Sequence, residues 1–144
     1  MKTKLIAIML GVVILLAGSC GPAQDAGAPG KSKILEPGRE ALESGTVITI
    51  PAGEVRIVSL CILRYQRVTG VHWHTEGNTQ IESWIEDDKG KMLEESGRTS
   101  SHDFVTEVGF GEGQYYIYLS NEFDSTSAKK VSLRVEWLGG YLGK

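Results

Sequence analysis

The sequence predicts an all-β protein, an antiparallel β-sandwich of about eight strands, with a small barrel as the alternative. Three observations carry this. Apolar residues alternate with polar ones through most of the chain, the period-2 pattern of half-buried strands. Turn-forming residues recur at short spacing, with 18 glycines but only 4 prolines among 144 residues. No stretch beyond the N-terminus sustains the 3.6-residue period of a long helix. A chain of this length has room for one domain with a substantial core. Its net charge of −3 includes no basic block, which argues against nucleic acid as a partner.

The first residues read as an export signal rather than as part of the domain. Lys2 and Lys4 precede residues 5–17, an uncharged and mostly apolar run of thirteen. That is short of the roughly 20 residues a membrane-spanning helix needs. Small residues follow, Ala17-Gly18-Ser19, directly before Cys20. This order is that of a secretory signal peptide. The segment Leu16-Ala17-Gly18-Ser19-Cys20 also resembles the lipobox of bacterial lipoproteins, although Ala17 stands where leucine is commonest. The resemblance implies cleavage before Cys20, a lipidated Cys20, and export to the cell envelope with the lipid as anchor. Without Lys2 and Lys4 the mature chain holds 13 basic and 18 acidic residues, about −5, a poor match for anionic lipid. With Cys20 lipidated, Cys61 is left without an intrachain disulfide and is expected as a small core residue.

The expected division is a signal peptide over 1–19, the lipidated cysteine and a flexible tether over 20–45, a sandwich over 46–138 and a short tail over 139–144. Residues 21–33 are too poor in large apolar side chains to order themselves. Ile34-Leu35 suits a short edge strand, and residues 36–44 are expected as loop around a Pro37-Gly38 turn.

The strands follow in order. Residues 46–50 form a β-branched run that Pro51-Ala52-Gly53 stops. Residues 54–65 make a long strand with Val55 and Ile57 on one face and Val58, Leu60 and Ile62 on the other, the mark of a central position. Residues 67–75 continue, interrupted by Gly70, before a turn at Glu76-Gly77-Asn78. Residues 80–87 alternate with Ile81, Ser83 and Ile85 together, and Asp88-Lys89-Gly90 supplies a hairpin turn. A short return strand at 91–93 precedes a polar stretch, 94–101, expected as an exposed loop. In the strand over 102–108, Phe104, Thr106 and Val108 are expected to share a face.

The two strongest strands come last. Tyr115, Ile117 and Leu119 alternate in one, and Val131, Leu133, Val135 and Trp137 in the other. Joined by a polar loop, they read as the inner pair of one antiparallel sheet, with the apolar faces looking across at Ile81, Ile85 and Phe104.

The order Gly113-x-Tyr115-x-Ile117-x-Leu119-x-Asn121-x-Phe123, followed by Lys129-x-Val131-x-Leu133, resembles the C-terminal half of the GOLD (Golgi dynamics) domain. Gln80-Ile81 through Ile85-x-Asp87 and Gly90 is similar to that domain's middle strand and turn. The resemblance spans residues 47–137. It implies a compact GOLD-like or jelly-roll-like sandwich that mediates protein–protein or protein–lipid contact, as in eukaryotic cargo receptors. Those receptors continue into a coiled coil and a transmembrane helix, and many carry paired cysteines. Here a short glycine-rich tail follows, so cargo sorting does not carry over.

No catalytic constellation stands out, and neither enzymatic activity nor a cofactor is expected. Ser101-His102-Asp103 holds the residue types of a hydrolase triad, but neighbours on a strand point to opposite faces. His72 and His74 share a face that Glu76 continues, which makes them the candidate metal ligands, without a fourth ligand to close a structural site. Glu82, Glu86, Asp87 and Asp88 lack a calcium-loop pattern and, like Glu94-Glu95, read as surface charge. Trp84 has the opposite parity to Ile81 and Ile85, and Tyr116 and Tyr118 oppose Tyr115, Ile117 and Leu119. These three aromatics are expected on the outside of the sandwich, where such rings favour protein interfaces or sugar stacking. The expected function is therefore a lipid-anchored binding module at the envelope. A carbohydrate-binding module using Trp84, Tyr116 and Tyr118 is the alternative, and a metal-binding periplasmic protein using His72 and His74 is the third reading.

Overall fold

A computed structural model describes residues 31–139 as a two-sheet β-sandwich of nine strands and one short helix. The elements are β1 (Ser32–Leu35), α1 (Arg39–Ser44), β2 (Thr46–Ile50), β3 (Val55–Ile62), β4 (Arg67–Thr75), β5 (Ile81–Asp87), β6 (Met92–Thr99), β7 (Ser101–Phe110), β8 (Gly113–Ser120) and β9 (Lys129–Leu138). One sheet has the order β1-β3-β8-β5-β6 and the other β2-β9-β4-β7. All pairings are antiparallel except β1 with β3. The expected signal peptide, Cys20 and the end of the tail lie outside the described residues.

Burial follows the alternation. Val58, Leu60, Ile62, Ile81, Ile85, Ile117 and Leu119 fill the core from the five-stranded sheet. Ile48, Ile50, Val68, Val71, Trp73, Val131, Leu133 and Val135 fill it from the other. One end closes with a ring ladder in which Phe110 stacks on Phe104 at 5.4 Å and on Tyr115, across the sandwich, at 5.2 Å.

The pairing of β8 with β9 is corrected. Each is a central strand, but of different sheets: β8 lies between β3 and β5, and β9 between β2 and β4. Ile81 and Ile85 therefore share a sheet with Ile117, while Phe104 shares one with Leu133. Alternation reports which side of a strand is buried and is silent about its neighbour. The connection at residues 121–128 crosses the roughly 10 Å between stacked sheets, and Asn121 pins it. Its side-chain amide donates to Pro51 O and Ser127 O, at 3.2 and 2.8 Å, and its backbone N–H donates to Glu54 O. Those contacts join it to the corner between β2 and β3, which crosses between the sheets beside it.

Four further expectations change. The packed unit extends upstream of residue 46, because β1 pairs with β3 and Leu42 of α1 is 1% exposed. So short a helix leaves little periodic trace and depends on its tertiary contacts. Arg39 supplies several: it binds Glu43 at 2.7 Å and Gly139 O at 3.1 Å, and it lies over the Trp137 ring. Residues 94–99 are strand rather than loop. They continue β6, an edge strand held by its ladder to β5 and interrupted by bulges. On β7, Val108 leaves the face of Phe104 and is 73% exposed, because the ladder to β4 shifts register and Gly109 turns at φ +73°. Cys61 is not a core thiol. Its parity, opposite to Leu60 and Ile62, puts it exposed on the outer face in register with Gln114.

Candidate functional site

The outer face of the five-stranded sheet is built from the positions that alternate with the core. Register sets Ile34, Ile57, Tyr118, Trp84 and Glu95 side by side across all five strands. The adjoining row is Ser59, Tyr116, Glu86 and Met92. Trp84, Tyr116 and Tyr118 thus point away from the core, as their parity requires, and all three are half-buried.

Two of these rings form one unit. Trp84 and Tyr118, directly paired across β5 and β8, stack with centroids 4.8 Å apart and planes 7° from parallel. Glu86, two residues along from Trp84 and so on the same face, joins them. Its carboxylate accepts the Trp84 Nε1–H at 3.1 Å and the Tyr118 hydroxyl. Burial raises the pKa of that hydroxyl above the ordinary tyrosine value, and the adjacent Glu86 charge and hydrogen bond raise it further. Tyr116 occupies the next row, beside Glu86. The rings are therefore held before any partner arrives, which lowers the ordering cost of binding. Because each ring spends one face on the other, the pair presents edges and one remaining face each.

The histidines go elsewhere. His72 lies on the outer face of the other sheet, with Nδ1 2.7 Å from Asp103 Oδ1 and Nε2 3.4 Å from Glu136 Oε2. Gly70 makes the notch for this group, since a Cβ there would come within 2.7 Å of the Glu136 carboxylate and 2.8 Å of the imidazole. The Glu136 pKa is lowered, first by its hydrogen bond to Arg134 and then by His72. His74 is exposed in register with Ser132, and Glu76 opens the 3-10 turn. His72, His74 and Glu76 are not gathered into one set, and among the described residues no three His, Cys, Asp or Glu side chains are arranged to hold a metal ion. Ser101, His102 and Asp103 diverge as their adjacency requires: Asp103 turns to His72, and His102 to Glu94 at 3.3 Å.

The link from Glu86 to both rings and the grouping of His72 with Asp103 and Glu136 were not anticipated. Both depend on which strands are neighbours. The only sequence signal was the shared parity of Trp84 and Glu86.

No protein-family model matches the chain, and no curated protein sequence matches it. Solved structures do. The chain is similar to the pre-peptidase C-terminal domain of collagenase from Bacillus anthracis at 11% identity and a TM-score of 0.51, covering 76% of this chain and 98% of that one. The likeness is one of fold. Two others are similar at lower scores. A periplasmic inhibitor of g-type lysozyme from Aeromonas hydrophila, PliG, has 9% identity, 73% and 99% coverage and a TM-score of 0.46. A CBM4 structure has 7% identity, 69% and 87% coverage and a TM-score of 0.42.

Proposed function

We propose that this chain is a lipid-anchored, non-enzymatic binding module of the cell envelope, a GOLD-like sandwich whose outer aromatic face receives a protein partner. The observation that carries the reading is the stacked Trp84–Tyr118 pair, fixed by Glu86 on an outward sheet face. A half-exposed Trp and two Tyr on a rigid sheet are the anchor type that dominates protein interfaces. Stacking the rings on each other favours a protein over a sugar, which needs open ring faces to lie upon. The GOLD resemblance supports contact rather than catalysis. The lipobox-like run before Cys20 supports the anchor, with export across the cytoplasmic membrane.

Site-specific photo-crosslinking on intact cells tests the binding face. A photo-reactive phenylalanine analogue at Tyr116 should give a discrete protein adduct. The same residue at Lys130, exposed on the outer face of the other sheet, should not. Adducts from position 130 alone would reject the assignment. The anchor is tested by the mass of the mature N-terminus, which should be a diacylglyceryl-modified Cys20.

A further inference from the structure

The charges around the ring pair specify the partner's chemistry. Outward positions on β5 carry Glu82, Trp84 and Glu86, and those on β6 carry Met92, Glu95 and Arg98. Arg98 is already engaged, 3.3 Å from the Glu82 carboxylate and 3.9 Å above the Phe123 ring. Glu86 and Glu95 form no ion pair among the described residues, and no cation lies over Trp84 or Tyr118. Glu95 sits directly opposite Trp84 on the side away from Tyr118. The indole is thus flanked by a phenol and a carboxylate, with a second carboxylate one step along its own strand.

Aromatic faces attract cations through the ring quadrupole, and carboxylates take the strongest hydrogen bonds from ammonium and guanidinium groups. Glu86 is half satisfied by Trp84 and Tyr118 and retains acceptor capacity for a charged donor. Met92, beside Glu86, adds an adaptable apolar contact for an aliphatic stem. We propose that the partner docks on this face through a basic segment, with lysine or arginine side chains laid over Trp84 and paired with Glu86 and Glu95. The proposal rests on the binding-face reading above and adds the charge of the occupant.

The test uses the purified full-length protein, with an octalysine peptide as probe and an octaglutamate peptide as control. The indole N–H resonance of Trp84 is followed by NMR. Octalysine should shift that resonance, and added salt should weaken its binding. Glu86→Gln/Glu95→Gln should lower its affinity about fivefold to tenfold, as expected for losing two partly exposed charge pairs. Glu107→Gln/Glu112→Gln removes the same charge from exposed positions elsewhere and should cost less than about twofold. Equal losses in the two double variants would overturn the proposal, because only net charge would then matter. So would an equal shift with octaglutamate, or no shift with octalysine. A Tyr116 photo-adduct that survives Glu86→Gln/Glu95→Gln undiminished would keep the binding face and remove the basic occupant.

Discussion

Trp73 of the four-stranded sheet donates its indole N–H to Ser83 Oγ of the five-stranded sheet, 2.7 Å away across the middle of the sandwich. Both residues are buried. The serine hydroxyl lies 3.1 Å from Ser96 Oγ, which in turn donates to Gly97 O at 2.7 Å. A polar thread thus ties the two sheets together and ends at the bulge in β6. Ser83→Ala would strand the indole N–H in the core, at a cost of about 1–3 kcal/mol. Denaturant melts should show that cost shrinking in a Trp73→Phe background, where no donor remains to be stranded. An equal cost in both backgrounds would mean the hydrogen bond is not the cause.

Leu133 and Arg134 test the facing of β9. Leu133 is fully buried, and Leu133→Ala should cost about 2–5 kcal/mol. Arg134 is exposed and pairs with Glu136 at 2.9 Å, so Arg134→Ala should stay within about 1 kcal/mol. Comparable losses in both would mean the strand is turned the other way.

The crossing at residues 121–128 should be sensitive to acid. Lys129 Nζ lies 2.7 Å from Asp124 and holds its carboxyl well below the usual carboxylate range, helped by the N–H and hydroxyl of Thr126 and the N–H of Ser127. A depressed pKa means that the folded state favours the carboxylate. The stabilisation is therefore present above the ordinary value near 3.8 and is lost as pH falls through the lower folded value. Asp124→Asn should lower the melting temperature at neutral pH, and the gap to the parent should close as the medium becomes strongly acidic. A gap independent of pH would remove the charge from the explanation.

Glu86 should also be visible through Tyr118. Burial, the first cause of the raised tyrosine pKa, stays in Glu86→Gln, while the negative charge goes. Phenolate absorbance should then appear at lower pH than in the parent, still above the ordinary value. The raised pKa stabilises the fold below that ordinary value, and the contribution is lost as pH rises through the folded one. In the variant the loss should begin at the same ordinary value but be smaller and complete at lower pH. An unchanged titration would place Glu86 outside the ring pair.

Facing was legible for most of this sequence, Cys61 and Val108 excepted, and adjacency was not. Ile117 and Leu119, or Val131, Leu133 and Val135, alternate so regularly that one side had to be inside, and it is. Nothing in that pattern distinguishes a hairpin from a crossing between sheets, and the decisive residue, Asn121, looks like any loop asparagine. Only the start of β6 was legible, because the rest of an edge strand can be polar on both sides, and α1 was missed because six residues hold less than two turns. The site divides the same way. Parity placed Trp84, Tyr116 and Tyr118 outward, whereas the stacking of Trp84 on Tyr118 and the role of Glu86 required knowing that β5 pairs with β8. His72 was noticed for the wrong company: His74 and Glu76 were near in sequence, but Asp103 and Glu136 come from the flanking strands.

The binding face is tested most directly by crosslinking from position 116 on intact cells in a Trp84→Ala/Tyr118→Ala background, with folding checked by circular dichroism. The discrete adduct seen with both rings present should disappear while the β-sheet spectrum is retained. An adduct of undiminished yield in a folded protein lacking both rings would contradict the account.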